Sequence, residues 1–400
     1  MKNKVYLVRY QDDSRGWIDM KPFVVLLLAA TIFLNVEMSS AIDWNLQTLI
    51  NYDWWKDSDG NKGMQGYVPL NIEVRKQEFS LKLLTGYAYT QYKTSLGETR
   101  SLSYPLDTKV NLSYEMIDKL PVDLSIGLDF NLPTGKTNLQ EKGLVLIMDP
   151  DLVSINKFGE GFNFNPTLSV AKQFGKWVGG VGVGYAWRGD YDLSTNIQDL
   201  HPGDILTLTA EMRYYFSPQW NARLFGKSAW YNEANWKVLQ PVTSNDFWRE
   251  GNFYNIGMGV NHNEKKWDAG LLLQGTFREK AKFELETIGL FTEGDIKYGN
   301  EWLGDLYFRY FIDDKTTLKS NFEYLYRDKN YGSPPLIYFI GRRDKYTLGF
   351  GAARVLSKHF QGEAYLKGFY MHDKERLDLE SQGSRSYRGF SVGLQLLYKF

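Results

Sequence analysis

The sequence predicts an all-β fold, namely a transmembrane, up-and-down antiparallel β-barrel of about 16 strands with short periplasmic turns and long extracellular loops. Three observations predict it. Segments of alternating apolar and polar residues recur to the end of the chain. The connections between them alternate between short and long, and an apolar run near the amino terminus has the length of an export signal. Alternation with a period of two is typical of strands whose two faces meet different surroundings.

The composition of the 400 residues suits strands without being apolar overall. Aromatic residues make up 16% of the chain, whereas hydrophobic residues make up only 43%, and aromatic residues favour strands. Basic and acidic residues both number 47, so the charge balance does not indicate a nucleic-acid partner. Because the sequence has no Cys, it excludes disulfide bonds and thiolate metal sites.

The amino-terminal region has the pattern of a signal peptide. An apolar run of 13 residues at 22–34 follows Lys21. It is too short for a membrane helix, which needs about 20 apolar residues. Ser39, Ser40 and Ala41 then provide the small residues that a signal peptidase requires. We therefore predict cleavage after Ala41.

Residues 1–41 are thus the predicted signal peptide, and residues 42–400 the predicted single barrel domain. Residues 1–19 form an unusual leader, which makes Met20 a plausible true start. The alternative is an amino-terminal anchor that stays attached, and the short apolar run disfavours it.

The alternating segments are long enough to cross a bilayer when tilted, which takes about 9–11 residues. The sequence predicts sixteen such strands, at 43–54, 64–76, 78–92, 105–117, 120–131, 162–173, 176–188, 203–216, 218–231, 250–262, 265–279, 299–311, 315–327, 344–355, 358–372 and 387–400.

The connections after the second strand alternate between short turns, such as the one at Ser217-Pro218, and long loops. This rhythm is typical of barrels that have both chain ends on the periplasmic side. The loop at 132–161 is the longest, and it contains the apolar run LVLIM at 144–148. Because such a run is unfavourable in water, we expect the loop to fold inward or to pack on a rim.

Alternation gives each strand an apolar face, expected to meet lipid, and a polar face, expected to line a water-filled lumen. In strand 8, for example, Leu208 falls on the first face and Thr209 on the second. Open sheet edges cannot survive in hydrocarbon, so the sheet must close. The predicted pore-lining residues are Lys82, Lys109, Glu115, Asp129, Glu211, Arg213, Arg223, Lys227, Arg309, Lys319 and Glu323.

Pairing across two short turns places like charges opposite each other, Arg213 near Arg223 and Arg309 near Lys319. Like charges in such positions destabilise a sheet unless a negative group intervenes. Two interpretations stay open at this point. Neighbouring carboxylates such as Glu211 neutralise the pairs, or the pairs form a basic zone that attracts anionic solutes.

The chain ends within a strand pattern, with Leu394, Leu396, Tyr398 and Phe400 on one face. This ending resembles the carboxyl-terminal signature of bacterial outer-membrane barrel proteins, whose terminal strand with its final Phe is recognised by the insertion machinery. The resemblance implies that the last strand closes the barrel and directs its assembly.

A second resemblance concerns the stretch GLDFNLPTG at 127–135. It is similar to the G-x-x-x-x-LPTG stretch of the transporter-like outer-membrane family labelled "MetA-pathway of phenol degradation". The resemblance implies an outer-membrane channel linked to aromatic or other small organic compounds, with no catalytic residues to carry over. A Pro-Thr-Gly triplet also suits any turn, because Pro presets φ and Gly accepts a positive φ.

The sequence gives no pattern for catalysis, a cofactor or a metal. No two of its four His lie close enough to suggest a zinc motif. His372 precedes Asp373, but no serine accompanies them in a recognisable pattern. The glycine-rich run at 179–184 lies inside a predicted strand and is not followed by GK[ST].

The sequence therefore favours a porin-like channel in the bacterial outer membrane for passive diffusion of small solutes, and not an enzyme. The aromatic or anionic organic compounds considered above are the candidate solutes. Expected partners are outer-membrane lipid, the barrel-assembly machinery and an unidentified small solute, with a homo-oligomer as an option. The alternatives are a barrel sleeve of a porin–cytochrome electron conduit and an outer-membrane enzyme, which needs an assembled nucleophile–His pair.

Overall fold

The computed structural model describes residues 42–238, 244–285, 289–292, 299–329, 339–377 and 382–399. Within them, sixteen antiparallel strands close into one barrel. They are β1 Asp43–Asp57, β2 Lys62–Lys76, β3 Phe79–Lys93, β4 Thr108–Met116, β5 Asp123–Leu132, β6 Asn163–Phe174, β7 Trp177–Arg188, β8 Ile205–Tyr215, β9 Trp220–Tyr231, β10 Phe253–Asn263, β11 Trp267–Arg278, β12 Glu301–Phe311, β13 Thr316–Arg327, β14 Arg343–Val355, β15 Phe360–Leu377 and β16 Gln382–Lys399.

These bounds confirm the predicted strands, with corrections at their ends. The largest correction concerns β15 and β16, which extend beyond the predicted 358–372 and 387–400 at the extracellular end. There the chain is polar on both faces of the strand, as in HDKER at 372–376. Alternation is therefore lost while backbone pairing continues, with a register irregularity between Asp373 and Arg376.

The barrel closes between its first and last strands. β1 and β16 pair in register from Asn45 opposite Lys399 to Asp57 opposite Tyr387. No strand edge then faces hydrocarbon at this seam, which is the condition for a sheet to span a bilayer. Closure by the last strand is thus confirmed. Phe400, the signal peptide at 1–41 and the cleavage site after Ala41 lie outside the described residues.

The outer face of the barrel is apolar. Leu208, Ile256 and Leu394 are 47%, 56% and 47% exposed, and similar side chains surround the barrel. An apolar surface of this extent is typical of contact with a membrane. Aromatic rings gather at the periplasmic rim, as where the ring centroids of Phe360 and Tyr398 lie 4.6 Å apart. Such rings suit the headgroup level.

The periplasmic connections are tight turns, several of which need a left-handed backbone. Gln77 has a φ of 53°, Asp118 of 56° and Gly175 of 60°. Single residues in this region allow the chain to reverse within a few positions.

The extracellular end carries further short elements. Five short strands form a second sheet, and they continue the chain before or after β8–β12: Ile197–His201, Ala234–Val238, Ser244–Arg249, Lys282–Leu285 and Gly289–Thr292. Thr99–Pro105 pairs with β3, and Phe339–Ile340 pairs with β15. A 3-10 helix covers Glu141–Leu146. Among the described residues, no helix has the length and hydropathy needed to cross a membrane.

Candidate functional site: the lumen and its loop

Residues 133–162, between β5 and β6, form a loop that packs against the inner wall of the barrel, and we call it the lumen loop. It begins at the LPTG stretch. The Thr108 N–H donates to Thr134 Oγ1 at 2.8 Å, and the Gly135 N–H donates to Asp107 Oδ1 at 2.8 Å. A Cβ at position 135 would lie 2.0 Å from the carbonyl oxygen of Phe158. The motif is thus a close crossing of the two ends of the loop.

Apolar residues of the lumen loop fill the space beside the seam of the barrel. The sequence predicted that its apolar run folds inward or packs on a rim, and the structure places it inside. Leu146 is 2% exposed. The buried cluster consists of Met148, Leu152 and Val153 of the loop with Trp55, Met371 and Tyr387 of the wall. Burial of these side chains favours the inward conformation because it removes apolar surface from water.

Two polar residues of the first strands hold the middle of the lumen loop. The Ser154 N–H donates to Asp53 Oδ2 at 2.8 Å. Gln65 exchanges two hydrogen bonds with the backbone of Ile155, each of 2.7 Å. Asp53 and Gln65 are almost fully buried. These bonds satisfy backbone groups that would otherwise be buried without partners.

An ion network fixes the lumen loop to the wall formed by β13–β15. Arg343 lies at its centre, and its side chain is 1% exposed. It binds Asp373 through Nε at 2.7 Å and through Nη2 at 3.0 Å. Its Nη1 lies 2.7 Å from Asp149 Oδ2 and 2.5 Å from Asp151 Oδ2. Arginine suits this position because its fork of donors can bind several carboxylates at once.

Arg327 extends the network, with its Nη1 3.1 Å from Asp151 Oδ2 and its Nη2 2.6 Å from Glu301 Oε2. Burial alone would raise the pKa of Asp151, but Arg327 and Arg343, with Lys345, outweigh it and hold that pKa below its usual value. The carboxylate of Asp151 is therefore charged at neutral pH and bound to both guanidinium groups.

All eleven predicted pore-lining residues lie on the inward, polar faces of their strands, as the strand registers require. Lys82, Lys109 and Asp129 line one recess of about 440 Å³ together with several asparagines. Asp129 accepts hydrogen bonds there from Asn111 and Asn165. Glu115 lies 3.8 Å from Arg75. That these residues govern permeation stays a prediction.

The two like-charge pairs form in the predicted registers, with Arg213 opposite Arg223 and Arg309 opposite Lys319. Carboxylates intervene at both. Asp268 binds Arg309 at 2.7 Å, and Glu363 binds Lys319 at 2.5 Å. The second pair is therefore balanced by two carboxylates.

The first pair shares a single carboxylate. Glu211 lies 2.8 Å from Arg213 and 4.0 Å from Arg223. Lys227 follows on the same face, with its Nζ 5.8 Å from the ring centroid of Phe253. We call Arg213, Arg223 and Lys227 the basic wall. Glu211 therefore neutralises part of the charge, and an excess of positive charge remains. That this excess attracts anionic solutes stays a prediction.

Several residues of the ion network did not emerge from the sequence. Arg343 and Asp373 lie one residue beyond the predicted strands 344–355 and 358–372, where continued alternation would assign them to the inward face. Asp149 and Asp151 lie in the longest loop and carry no strand pattern. Strand alternation could have placed Arg343 and Asp373 on the inward face. Only the folding of the loop brings Asp149 and Asp151 to them.

One pair of residues bears on the enzyme alternative. His372 Nδ1 lies 2.9 Å from Ser386 Oγ, a neighbour that the sequence did not reveal. The carboxylate of Asp344, across from His372 in the sheet, binds Arg342 and the hydroxyl of Tyr324 instead. A nucleophile–base pair needs a group that orients the base. Among the described residues, no carboxylate forms a hydrogen bond to His372.

Comparisons with known proteins give only distant likenesses. No protein-family model matches the sequence, and no curated protein matches it. Similar solved structures include the toluene transporter TodX of P. putida, with 9% identity, 91% of each chain covered and a TM-score of 0.44. They also include OccK7 of Pseudomonas aeruginosa (11% identity, 90% and 99% covered, TM-score 0.43) and OmpT of Vibrio cholerae (10% identity, 92% and 100% covered, TM-score 0.41). At TM-scores below 0.5 we draw no functional conclusion from them.

The resemblance to the family labelled "MetA-pathway of phenol degradation" thus rests on residues 127–135 alone. The architecture itself identifies the class of protein. Sixteen antiparallel strands close without a free edge, present an apolar face outward, and enclose a polar lumen. Only such closed barrels and helices can span a bilayer. The chain is a β-barrel protein of the bacterial outer membrane.

Proposed function

We propose that this protein is a channel for passive diffusion of small, water-soluble organic anions across the outer membrane. Barrels of 16–18 strands are wide enough to leave an aqueous channel. The observation that carries the proposal is the basic wall, which lines a lumen already narrowed from the opposite side. Two features support it. The lumen loop occupies the opposite side of the lumen, and positive charges outnumber negative ones along the basic wall.

The lumen loop is held against one side of the barrel. Its hydrogen bonds, ion pairs and apolar contacts described above join it to β1, β2 and β13–β16. These strands are contiguous in the closed sheet. We infer that solutes pass on the other side, along β8–β11. A loop of this kind sets the size limit of the channel because it occupies part of its cross-section.

The basic wall lies on that free side. Among the described residues its three cations face one carboxylate, Glu211, which leaves an excess of two positive charges. Arg223 also lies over the ring of Phe225, with its Cζ 5.1 Å from the centroid. Positive charge in a wet lumen raises the local concentration of anions. The half-buried rings of Phe225 and Phe253 beside it suit solutes that have an apolar part.

Reversal-potential measurements in planar bilayers test the proposal. With a salt gradient, the wild-type channel should prefer anions. The triple variant R213Q/R223Q/K227Q should lose this preference or become cation-selective. Without Arg213 and Arg223, the negative charge of Glu211 is no longer neutralised. The matched control K265Q/K266Q/K315Q removes three exposed lysines from periplasmic turns and should retain the wild-type preference. A triple variant with unchanged selectivity would refute the role of the basic wall.

The lumen loop also bears on the sleeve alternative. A sleeve must leave its lumen free for an inserted cytochrome, whereas here the loop is held in the lumen by a buried ion network and an apolar cluster. These contacts favour a channel for small solutes over a sleeve for a protein.

A further inference from the structure

Four neighbouring strands carry a basic residue at the same level near the extracellular end of the barrel. Lys93 of β3 lies opposite Lys62 of β2, and Lys62 lies opposite Lys56 of β1. Lys56 in turn lies opposite Arg388 of β16, across the seam that closes the barrel. We call these four residues the basic row. It is distinct from the basic wall, which lies inside.

The basic row belongs to the outer face of the barrel. Strand alternation puts Lys56 on the same face as Tyr52 and Trp54, and it puts Arg388 on the same face as Phe390 and Val392. Tyr52, Phe390 and Val392 are 39%, 37% and 44% exposed on the lipid-facing surface. Lys62, Lys93 and Arg388 are themselves exposed. The row therefore continues the lipid-facing surface in the extracellular direction.

Aromatic residues show the level of the row relative to the bilayer. Trp54 and Phe390 stack with a centroid distance of 5.5 Å, two residues closer to the membrane centre than Lys56 and Arg388. Trp and similar rings settle at the boundary between hydrocarbon and headgroups. A row one step further out lies at the level of the lipid phosphates.

Like charges directly opposite each other destabilise a sheet unless an anion lies between them. The nearby carboxylates have other partners. Asp59 binds Arg385 at 2.6 Å, Glu98 binds Arg100 at 3.2 Å, and Asp57 is buried and binds the side chain of Asn61. Within the described part of the chain, no ion pair joins a carboxylate to any residue of the row. Among the described residues the positive charge of the row is thus unbalanced, which favours binding of an anion from outside the chain.

The surface beside the row is shaped to receive such a group. A recess of about 430 Å³ is lined by Lys56, Ser58, Tyr370, Ser386 and Arg388, among others. Its lining also includes Asp57 and Asp59, whose carboxylates pair with Arg385. The two cations of the row and the hydroxyl groups beside them can donate hydrogen bonds to phosphate oxygens.

From these observations we propose that the basic row binds the phosphate groups of an anionic lipid in the outer leaflet. Neighbouring strands are about 4.8 Å apart, so four strands offer cations over roughly 14 Å of the barrel circumference. This span suits a headgroup that carries more than one phosphate. Because the row crosses the seam between β1 and β16, the bound lipid also screens the repulsion between Lys56 and Arg388 and stabilises closure.

Lipid retention by the purified protein tests the proposal. The protein, in detergent, is mixed with phosphatidylcholine vesicles that contain a bisphosphorylated glycolipid, the same glycolipid after enzymatic dephosphorylation, or no glycolipid but inorganic phosphate in solution. Bound lipid is counted by native mass spectrometry, and the unfolding temperature is recorded. We expect retention and a raised unfolding temperature only with the phosphorylated glycolipid.

The variant K56Q/K62Q/K93Q/R388Q should bind that lipid at least tenfold more weakly, because each basic residue near an anionic surface contributes a factor of roughly five. The control K265Q/K266Q/K315Q/K358Q removes four exposed lysines at the periplasmic end and should bind like wild type. The charge-preserving variant K56R/K62R/K93R should also retain binding, which separates charge from folding effects. Equal binding by the row variant and the control, equal binding of the dephosphorylated lipid, or equal stabilisation by inorganic phosphate would each overturn the proposal.

Discussion

Arg343 and Asp373, on the neighbouring strands β14 and β15, form a buried bidentate ion pair. Their side chains are 1% and 0% exposed, and the two hydrogen bonds measure 2.7 and 3.0 Å. The same guanidinium group holds Asp149 and Asp151 of the lumen loop. One side chain thus joins the barrel wall to the segment that narrows the channel.

Replacing this arginine should release the lumen loop. Arg343→Met leaves three carboxylates without their shared partner, and breaking a buried pair in this way costs about 3–5 kcal/mol. We expect larger and noisier single-channel currents and a lower unfolding temperature. Arg342→Met is the matched control, because Arg342 is half exposed and forms its ion pair with Asp344, not with the lumen loop. Similar currents in the two variants would contradict the anchoring role of Arg343.

The ion pairs that hold the lumen loop through Asp151 should weaken in acid but not in alkali. The pKa of Asp151 is lowered in the folded protein, so its stabilising contribution is present above the unfolded value and is lost as the pH falls through the folded value. Conductance should therefore stay constant from pH 8 to about pH 5 and rise only below the ordinary aspartate value of about 3.9. Asp151→Asn should show the raised conductance already at neutral pH. Asp190→Asn, at an exposed extracellular carboxylate, should behave like wild type, and a conductance change near pH 6 in all three proteins would argue against Asp151.

The close crossing at the start of the lumen loop can be tested with one methyl group. In Gly135→Ala the new Cβ would lie 2.0 Å from the carbonyl oxygen of Phe158, so the backbone has to shift. We expect easier proteolysis within 133–162 and altered conductance. Gly143→Ala, in the same loop, would meet only Leu139 Cβ at 3.8 Å and should leave both properties unchanged. Equal protease sensitivity of the two variants would show that the crossing is not tight.

The two faces of β8 can be compared at neighbouring positions. Leu208 is 47% exposed on the lipid face, whereas Thr209 faces the lumen and lies beside Gly182. An arginine on the lipid face at the midplane costs about 2–4 kcal/mol. Leu208→Arg should lower the free energy of unfolding in bilayers by this amount, and Thr209→Arg by much less. Thr209→Arg should instead shift the reversal potential toward anion selectivity, and equal destabilisation without that shift would contradict the assignment of faces.

The end of the chain should direct assembly. Leu394, Leu396 and Tyr398 lie on the outer face of the closing strand, and the sequence places Phe400 on the same face. Deletion of Phe400 should slow insertion into the outer membrane. Pulse-chase labelling measures the rate, with deletion of residues 1–41, the predicted signal peptide, as the reference in which no insertion is expected. Insertion of the truncated chain at the wild-type rate would disprove the role that the terminal signature implies.

The sequence by itself determined the class of fold and the two faces of its strands. A period of two assigns Leu208 and Thr209 to opposite sides whatever the remainder of the chain does, because successive side chains of a strand alternate. Short turns fix register locally, so the opposition of Arg213 and Arg223 followed from the turn at Ser217-Pro218. These inferences use only residues that are close in the chain.

Only the tertiary structure decided the path of the lumen loop and the charges that meet across the seam. Arg343 binds Asp151 over a separation of 192 residues, and Lys56 meets Arg388 only because the first strand pairs with the last. Local patterns cannot specify such contacts, since they depend on how a long loop folds and on the register of closure. Burial makes the contact between Arg343 and Asp151 energetically important, because an ion pair removed from water must be complete to be stable.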